Sequence, residues 1–254
     1  MNDRRWLAPA LLMLAAAGAT ATLLLTEPLA QPVAYHDFAD QRQMLGVPHA
    51  LNVLSNFAFL LVGAVGLRQL ATSRRRRRFL SERDSRPYVA FFLAVIGIGF
   101  GSGYYHLDPD NESLFWDRLP MAISFAALFA ALVNEHLGPR WGRPALPVLI
   151  VLAVAATLYW ILTERAGAGD LRPYLLVQGI PLLLAVPLVL LLRSRYQQGR
   201  YFLAAVGIYG LALILDRHDH TIYRVLDGAI SGHTLKHLAG ALAACVIVRM
   251  LARR

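Results

Sequence analysis

GSGYYHLDPDNESLFWDRLPM, residues 101–121, joins two apolar runs and carries much of the chain's membrane-depth chemistry. The run before it, 88–106, ends on His106; the run after it, 117–137, opens on Asp117. A bilayer core of about 30 Å is crossed by about 20 apolar residues in a helix. The acidic stretch between the runs suffices only for a turn, so the two runs are antiparallel neighbours. Ser102 and His106, four apart, lie on one helical face, and the hairpin returns Asp117 to their depth.

Working outward, apolar runs of this kind fall at 6–25, 50–70, 88–106, 117–137, 145–163, 173–192, 201–216 and 233–252. Backbone groups in lipid must be satisfied within their own segment, so these spans are helices. No strand-like alternation or linker interrupts them. The sequence therefore predicts an all-α polytopic membrane bundle, with a seven-helix core over 31–254 and one extra N-terminal transmembrane helix in 1–30. The first run also fits a signal peptide cleaved near Ala30, but it is long for one.

The composition agrees. The 254 residues are 57% hydrophobic and 16% charged, with a formal charge of +9. A soluble chain of this size carries more charge. The excess is almost all arginine and lies between the runs: Arg4 and Arg5, Arg74 to Arg78 with Arg83 and Arg86, Arg140 and Arg143, Arg193, Arg195 and Arg200, then Arg249, Arg253 and Arg254. The other loops are acidic or mixed, from Glu27 and Asp37 to Asp170. That alternation is the positive-inside pattern for eight spans with both termini cytoplasmic. It marks topology and argues against nucleic-acid binding. Cys245 stands alone, so any metal must be held by His, Asp or Glu.

The last run opens with SGHTLKHLAG, where His233 and His237 are again four apart on one face. It starts on the same side as His106 and Asp117. Three neutral imidazoles leave a fourth zinc position open, the arrangement of a catalytic site. Asp117 is placed to move a proton, and Ser102 to stabilise an oxyanion or orient a ligand. Taken singly, each residue has a plainer reading. A lone histidine at a helix end is more often an interfacial hydrogen-bonding group; Asp117 could merely start a helix, and Ser102 could permit close packing. Spacing alone leaves both readings open.

The motifs NVLSNFAF (52–59), GSGYYH (101–106), WDRLPM (116–121) and HTLKH (233–237) resemble those of alkaline ceramidases, in the same order. The resemblance covers about 35–250, with flanking text most like bacterial members. It implies that His106, His233 and His237 bind Zn²⁺, that Asp117 is the acid/base and that Ser102 assists at the oxyanion. It implies hydrolysis of ceramide or a related N-acyl membrane lipid to fatty acid and free amine base; its bacterial-type flanks point to a bacterial inner membrane, where the charge alternation turns the site outward. In animal members an acidic calcium-binding stretch precedes the first core helix. Here AYHDFADQRQMLGVPHALN offers only Asp37 and Asp40, with His49 near the place of a glutamate.

Two rival functions share the scaffold: a lipid receptor with a structural zinc and no turnover, and a transporter. The polar groups gather at one depth with no inverted repeat, which argues against transport. Asp216, His218, Asp219 and His220 in LDRHDHTIY allow a second metal site, though a solvated loop is the plainer expectation. Asn52, Ser55 and Asn56 read as interhelical hydrogen bonders. GxxxG-like spacings, such as Gly63 and Gly66, carry no weight in so apolar a chain. Oligomeric state is not legible.

Overall fold

The computed structural model describes residues 7–254, so Arg4, Arg5 and the start of the first expected span lie outside the described residues. The helices run α1 (Leu7–Leu24), α2 (Ala50–Ser55), α3 (Phe57–Arg75), α4 (Arg86–Tyr105), α5 (Asn111–His136), α6 (Pro139–Arg165), α7 (Arg172–Leu191), α8 (Gly199–Arg217), α9 (Asp219–Val225) and α10 (Gly232–Ala252). No strand forms among the described residues. Seven segments are long and apolar enough to cross a membrane: Ala50–Arg75, Glu82–Tyr105, α5, α6, α7, α8 and α10. The chain is a multi-pass membrane protein of the expected class. The described apolar part of α1, Met13–Leu24, is shorter than these, and α1 packs on α7.

Several helices begin before their apolar runs. α5 starts at Asn111 because Asp110 caps it: the Asp110 carboxylate accepts from the Ser113 amide (2.6 Å), and Ser113 Oγ accepts from the Asp110 amide (3.0 Å). α6 starts at Pro139, whose missing N–H costs nothing at a first helical position. Hydropathy marks where lipid begins, whereas capping marks where the helix begins.

The loops sort to two ends. At one, Arg78 donates to the Ala252 carbonyl, Arg143 to Ser81 and Arg254 to Gln198. At the other, Gln31 meets Glu164, His36 meets Asn111 and Ala39 meets Asp219. The arginine-rich loops thus share one end and the acidic loops the other, as the charge alternation requires.

Lipid tails give helices no hydrophobic reason to associate, so close packing of small residues holds such bundles. α5 supplies Ala122, Ala126, Ala127, Ala130 and Ala131, all buried. The glycines discounted in the sequence do matter. A Cβ on Gly66 would lie 2.2 Å from the Phe92 ring, and one on Gly63 2.5 Å from Ile96, so α3 rides directly on α4.

Candidate metal centre

The centre forms where α4, α5 and α10 meet the acidic loops. His106 follows the last turn of α4, its amide bonded to the Ser102 carbonyl (3.1 Å). α4 meets α5 backbone to backbone: a Cβ on Gly101 would lie 1.9 Å from the Trp116 carbonyl oxygen. That contact sets Ser102 beside the start of the α5 segment bearing Asp117. α10 begins under a Ser231 cap, whose Oγ accepts from the Thr234 amide (3.0 Å) and fixes the turn carrying His233 and His237.

His106, His233 and His237 are all buried, and one ring nitrogen of each lies within 4.8 Å of the others. Their ring centroids are 4.7 to 5.0 Å apart. His106 Nε2 and His233 Nε2 are 3.1 Å apart. Tetrahedral zinc with Zn–N bonds of about 2.0–2.1 Å separates two ligand nitrogens by about 3.3 Å, so the spacing fits a metal.

The outer ring nitrogens decide which lone pairs face inward. His233 Nδ1 lies 2.7 Å from Asp216 Oδ1, so it carries the proton and donates, leaving Nε2 bare. Ser55 Oγ donates to the Asn52 carbonyl (2.9 Å) and so accepts from His237 Nδ1 (2.8 Å), again leaving Nε2 bare. These tautomers are assigned from the hydrogen-bond pattern. Bare imidazole nitrogens gathered in a buried space need a shared proton or a cation. Such oriented histidines are the usual surroundings of a bound metal.

More residues brace the set. Asp219 accepts from the amides of His233 (2.7 Å) and Ala39 (2.9 Å). Phe38, next to Ala39, lies over the histidines with its ring centroid 4.7 Å from His106 and 4.4 Å from His233. Thr234 donates to Asn52 Oδ1 (2.7 Å), tying α10 to α2. Lys236, the chain's only lysine, reaches Asp216 Oδ2 at 3.2 Å.

The expectation of a solvated loop at LDRHDHTIY holds for His218 and His220, which are exposed, and fails for the aspartates. Asp216 ends α8 facing α10 and Asp219 starts α9 against the His233 amide, so both serve the histidines. No second metal cluster forms there among the described residues. A metal-ligating histidine usually gives its outer nitrogen an acceptor. His233 and His237 do so, while the buried His106 Nδ1 has no partner among the described residues. That rule was the signal that could have singled out Asp216. Asn52 and Ser55 bond across to α10 as interhelical groups, with His237 as one partner. His49 stays outside the cluster, its Nδ1 3.4 Å from the Asp40 carbonyl. Arg42 takes both oxygens of the Asp40 carboxylate (2.8 and 2.7 Å).

A cavity of ≈ 150 Å³ adjoins the centre, and Ser102, Asp117, Lys236 and His237 all line it. The rest of its lining is mostly apolar, from Met121 down to Phe91, Leu132 and Phe202. Asp117 and Leu132 are separated by about 22 Å along α5 at about 1.5 Å per residue. The cavity therefore runs from the histidine end deep into the bundle.

A protein-family model described as Ceramidase matches residues 47–215, and no curated protein matches. The match covers more than half of the chain, which belongs to the ceramidase family. It includes Ser102, His106 and Asp117 but stops before Asp216 and α10, so the place of His233 and His237 rests on the geometry above.

Proposed function

We infer that this ceramidase-family protein is a zinc-dependent hydrolase that cleaves the amide of ceramide or a related N-acyl lipid. The observation that carries this reading is the inward convergence of the His106, His233 and His237 nitrogens at the polar end of an apolar cavity. The lipid's acyl chain lies in the cavity among Met121, Phe91 and Leu132, with the amide held beside Ser102 and Asp117. Zinc held by the three histidines supplies Lewis acidity, lowering the pKa of a water to about 7. Asp117 accepts the proton of the attacking water and delivers it to the leaving nitrogen, so the amide and water become carboxylic acid and amine. The Ser102 hydroxyl donates to the oxyanion that forms on the carbonyl carbon. Asp216, paired with Lys236, holds His233 in its ligating tautomer, and Ser55 does the same for His237. Residues 31–254 form the hydrolase and 1–30 an added helix; the arginine-rich end faces the cytoplasm and the zinc end the opposite side.

The test is fatty-acid release from a ceramide panel by the purified chain, with elemental analysis of the same sample. About one zinc per chain and release are expected in the wild type. His233→Ala should lose both, while Asp117→Asn should keep the zinc and lose release. Zinc without turnover on any N-acyl lipid would favour the receptor reading; a folded, unchelated sample without metal would sink the assignment.

A further inference from the structure

A second cavity, of ≈ 400 Å³, opens at the arginine-rich end between α4, α5 and α6. Arg83, Arg86 and Arg143 rim it, Asn134 lies in its floor, and Leu146, Pro147 and Ile150 of α6 form its apolar wall. α6 crosses directly over the floor: a Cβ on Gly142 would lie 2.2 Å from the Cα and Cβ of Asn134.

The rim is cationic beyond its internal pairing. Arg143 reaches Ser81 (3.1 Å) and stands 3.7 Å from Asp84, which also pairs with Arg195 at 3.2 Å. Arg83 and Arg86 are exposed and form no ion pair among the described residues, and the remaining nearby acid is exposed Glu82. Asn134 is 2% exposed, and its side-chain oxygen has no hydrogen-bond partner. Because amide oxygen and nitrogen interchange by a flip, this group offers either a donor or an acceptor to a ligand. α4 and α6 both begin here, adding the partial positive charge of their first turns.

The wall identifies the rest of the ligand. Below Leu146 and Ile150, α6 continues with exposed Val148, Val151 and Leu152, a lipid-facing surface. Exposed Trp141, in the first turn of α6, sits where interfacial aromatics meet headgroups. An anionic group among the arginines would therefore carry an acyl chain running down α6. We propose that this cavity binds the phosphate headgroup of an anionic phospholipid from the leaflet at the arginine-rich end. Basic pockets between transmembrane helices bind such headgroups. Inorganic phosphate shares the anion chemistry and lacks the tail.

Native mass spectrometry of the delipidated full chain tests the proposal, using phosphatidylglycerol, phosphatidylcholine of the same chains, and inorganic phosphate as competitor. Phosphatidylglycerol should be retained over phosphatidylcholine. Arg83→Gln with Arg86→Gln should weaken that retention about tenfold or more, as expected for lost charge-assisted hydrogen bonds. Both side chains are exposed and unpaired, so the variant should keep its melting temperature and metal content; Arg86→Gln alone should give an intermediate loss. Equal retention of the two lipids, or wild-type binding by the double variant, would overturn the site. Displacement of the lipid by phosphate at equal concentration would overturn the lipid as its occupant.

Discussion

Asp216 Oδ1 stands 2.7 Å from His233 Nδ1, and Asp216 Oδ2 stands 3.2 Å from Lys236. One carboxylate thus fixes a histidine's tautomer and engages the single cation of the cavity. Replacing it by the neutral isostere keeps the shape and removes the charge. Asp216→Asn should lower zinc affinity about 10- to 100-fold, the usual effect of losing such a partner. Competition against a chromophoric chelator measures this, and activity lost at low zinc should return when zinc is raised. Unchanged affinity would mean that Asp216 does not orient His233.

Ser55 performs the same task for His237 with a neutral hydroxyl at 2.8 Å. A neutral hydrogen bond contributes about 0.5–1.5 kcal/mol. Ser55→Ala should therefore weaken zinc binding by roughly 2- to 12-fold, less than Asp216→Asn. The ranking of the two variants in one chelator titration is the check.

Gly101 lets α4 touch α5, since a Cβ there would lie 1.9 Å from the Trp116 carbonyl oxygen. The obstacle is backbone, which cannot swing aside as a side chain can. Gly101→Ala should cost about 1–3 kcal/mol through overpacking and lower the melting temperature in detergent. It should also cut activity, because the strain falls between Ser102 and Asp117. Gly103, with open space around its Cβ position, is the control: Gly103→Ala should be tolerated.

These relationships also mark what the sequence could and could not convey. The spans, their alternation and the depth of His106, His233 and His237 follow from hydropathy and from residues four apart, because helix geometry and bilayer thickness are fixed. Helix starts such as Asn111 were misplaced because Asp110 extends α5 into water, where hydropathy carries no signal. The role of Asp216 beside His233 was hidden for another reason. The aspartate lies 17 residues before His233, and the α8–α9 turn that aims it at α10 leaves no periodic trace. Phe38 was equally invisible, since a loop residue over a site is placed by tertiary contacts alone.

The Asp110 cap carries a pH dependence. The Ser113 amide, bonded to its carboxylate, holds the Asp110 pKa below its ordinary value of 3.8. A depressed folded-state pKa means that the carboxylate stabilises the fold above the ordinary carboxylate range. That contribution is lost as pH falls through the depressed value. Asp110→Ala should cost about 1 kcal/mol at neutral pH, the usual loss of a helix cap. The gap between wild type and variant should close below about pH 4. Thermal unfolding from pH 7 down to pH 3 follows it. A gap that stays constant would show that the Asp110 side chain caps the helix without its charge, and no gap at pH 7 would show that the hydroxyl of Ser113 alone makes the cap.

At the arginine-rich end, Arg254 is buried against Glu135, their side chains 2% and 1% exposed. Tyr88 donates to the same carboxylate, Gln198 accepts from Arg254 Nε at 3.0 Å, and the Tyr196 ring lies 4.1 Å below the guanidinium. Removing either charge leaves the other buried without its counter-charge, at a cost of about 3–5 kcal/mol. Glu135→Gln and Arg254→Met should each lower the melting temperature while leaving zinc content intact, since the histidines sit at the other end. Replacing both charges by apolar groups, as Glu135→Leu with Arg254→Met, removes the desolvation penalty along with the attraction. The double variant should therefore be more stable than Arg254→Met. If it is instead as unstable as the sum of Arg254→Met and Glu135→Leu measured alone, the two charges act independently and their pairing contributes no coupling energy to this end of the bundle.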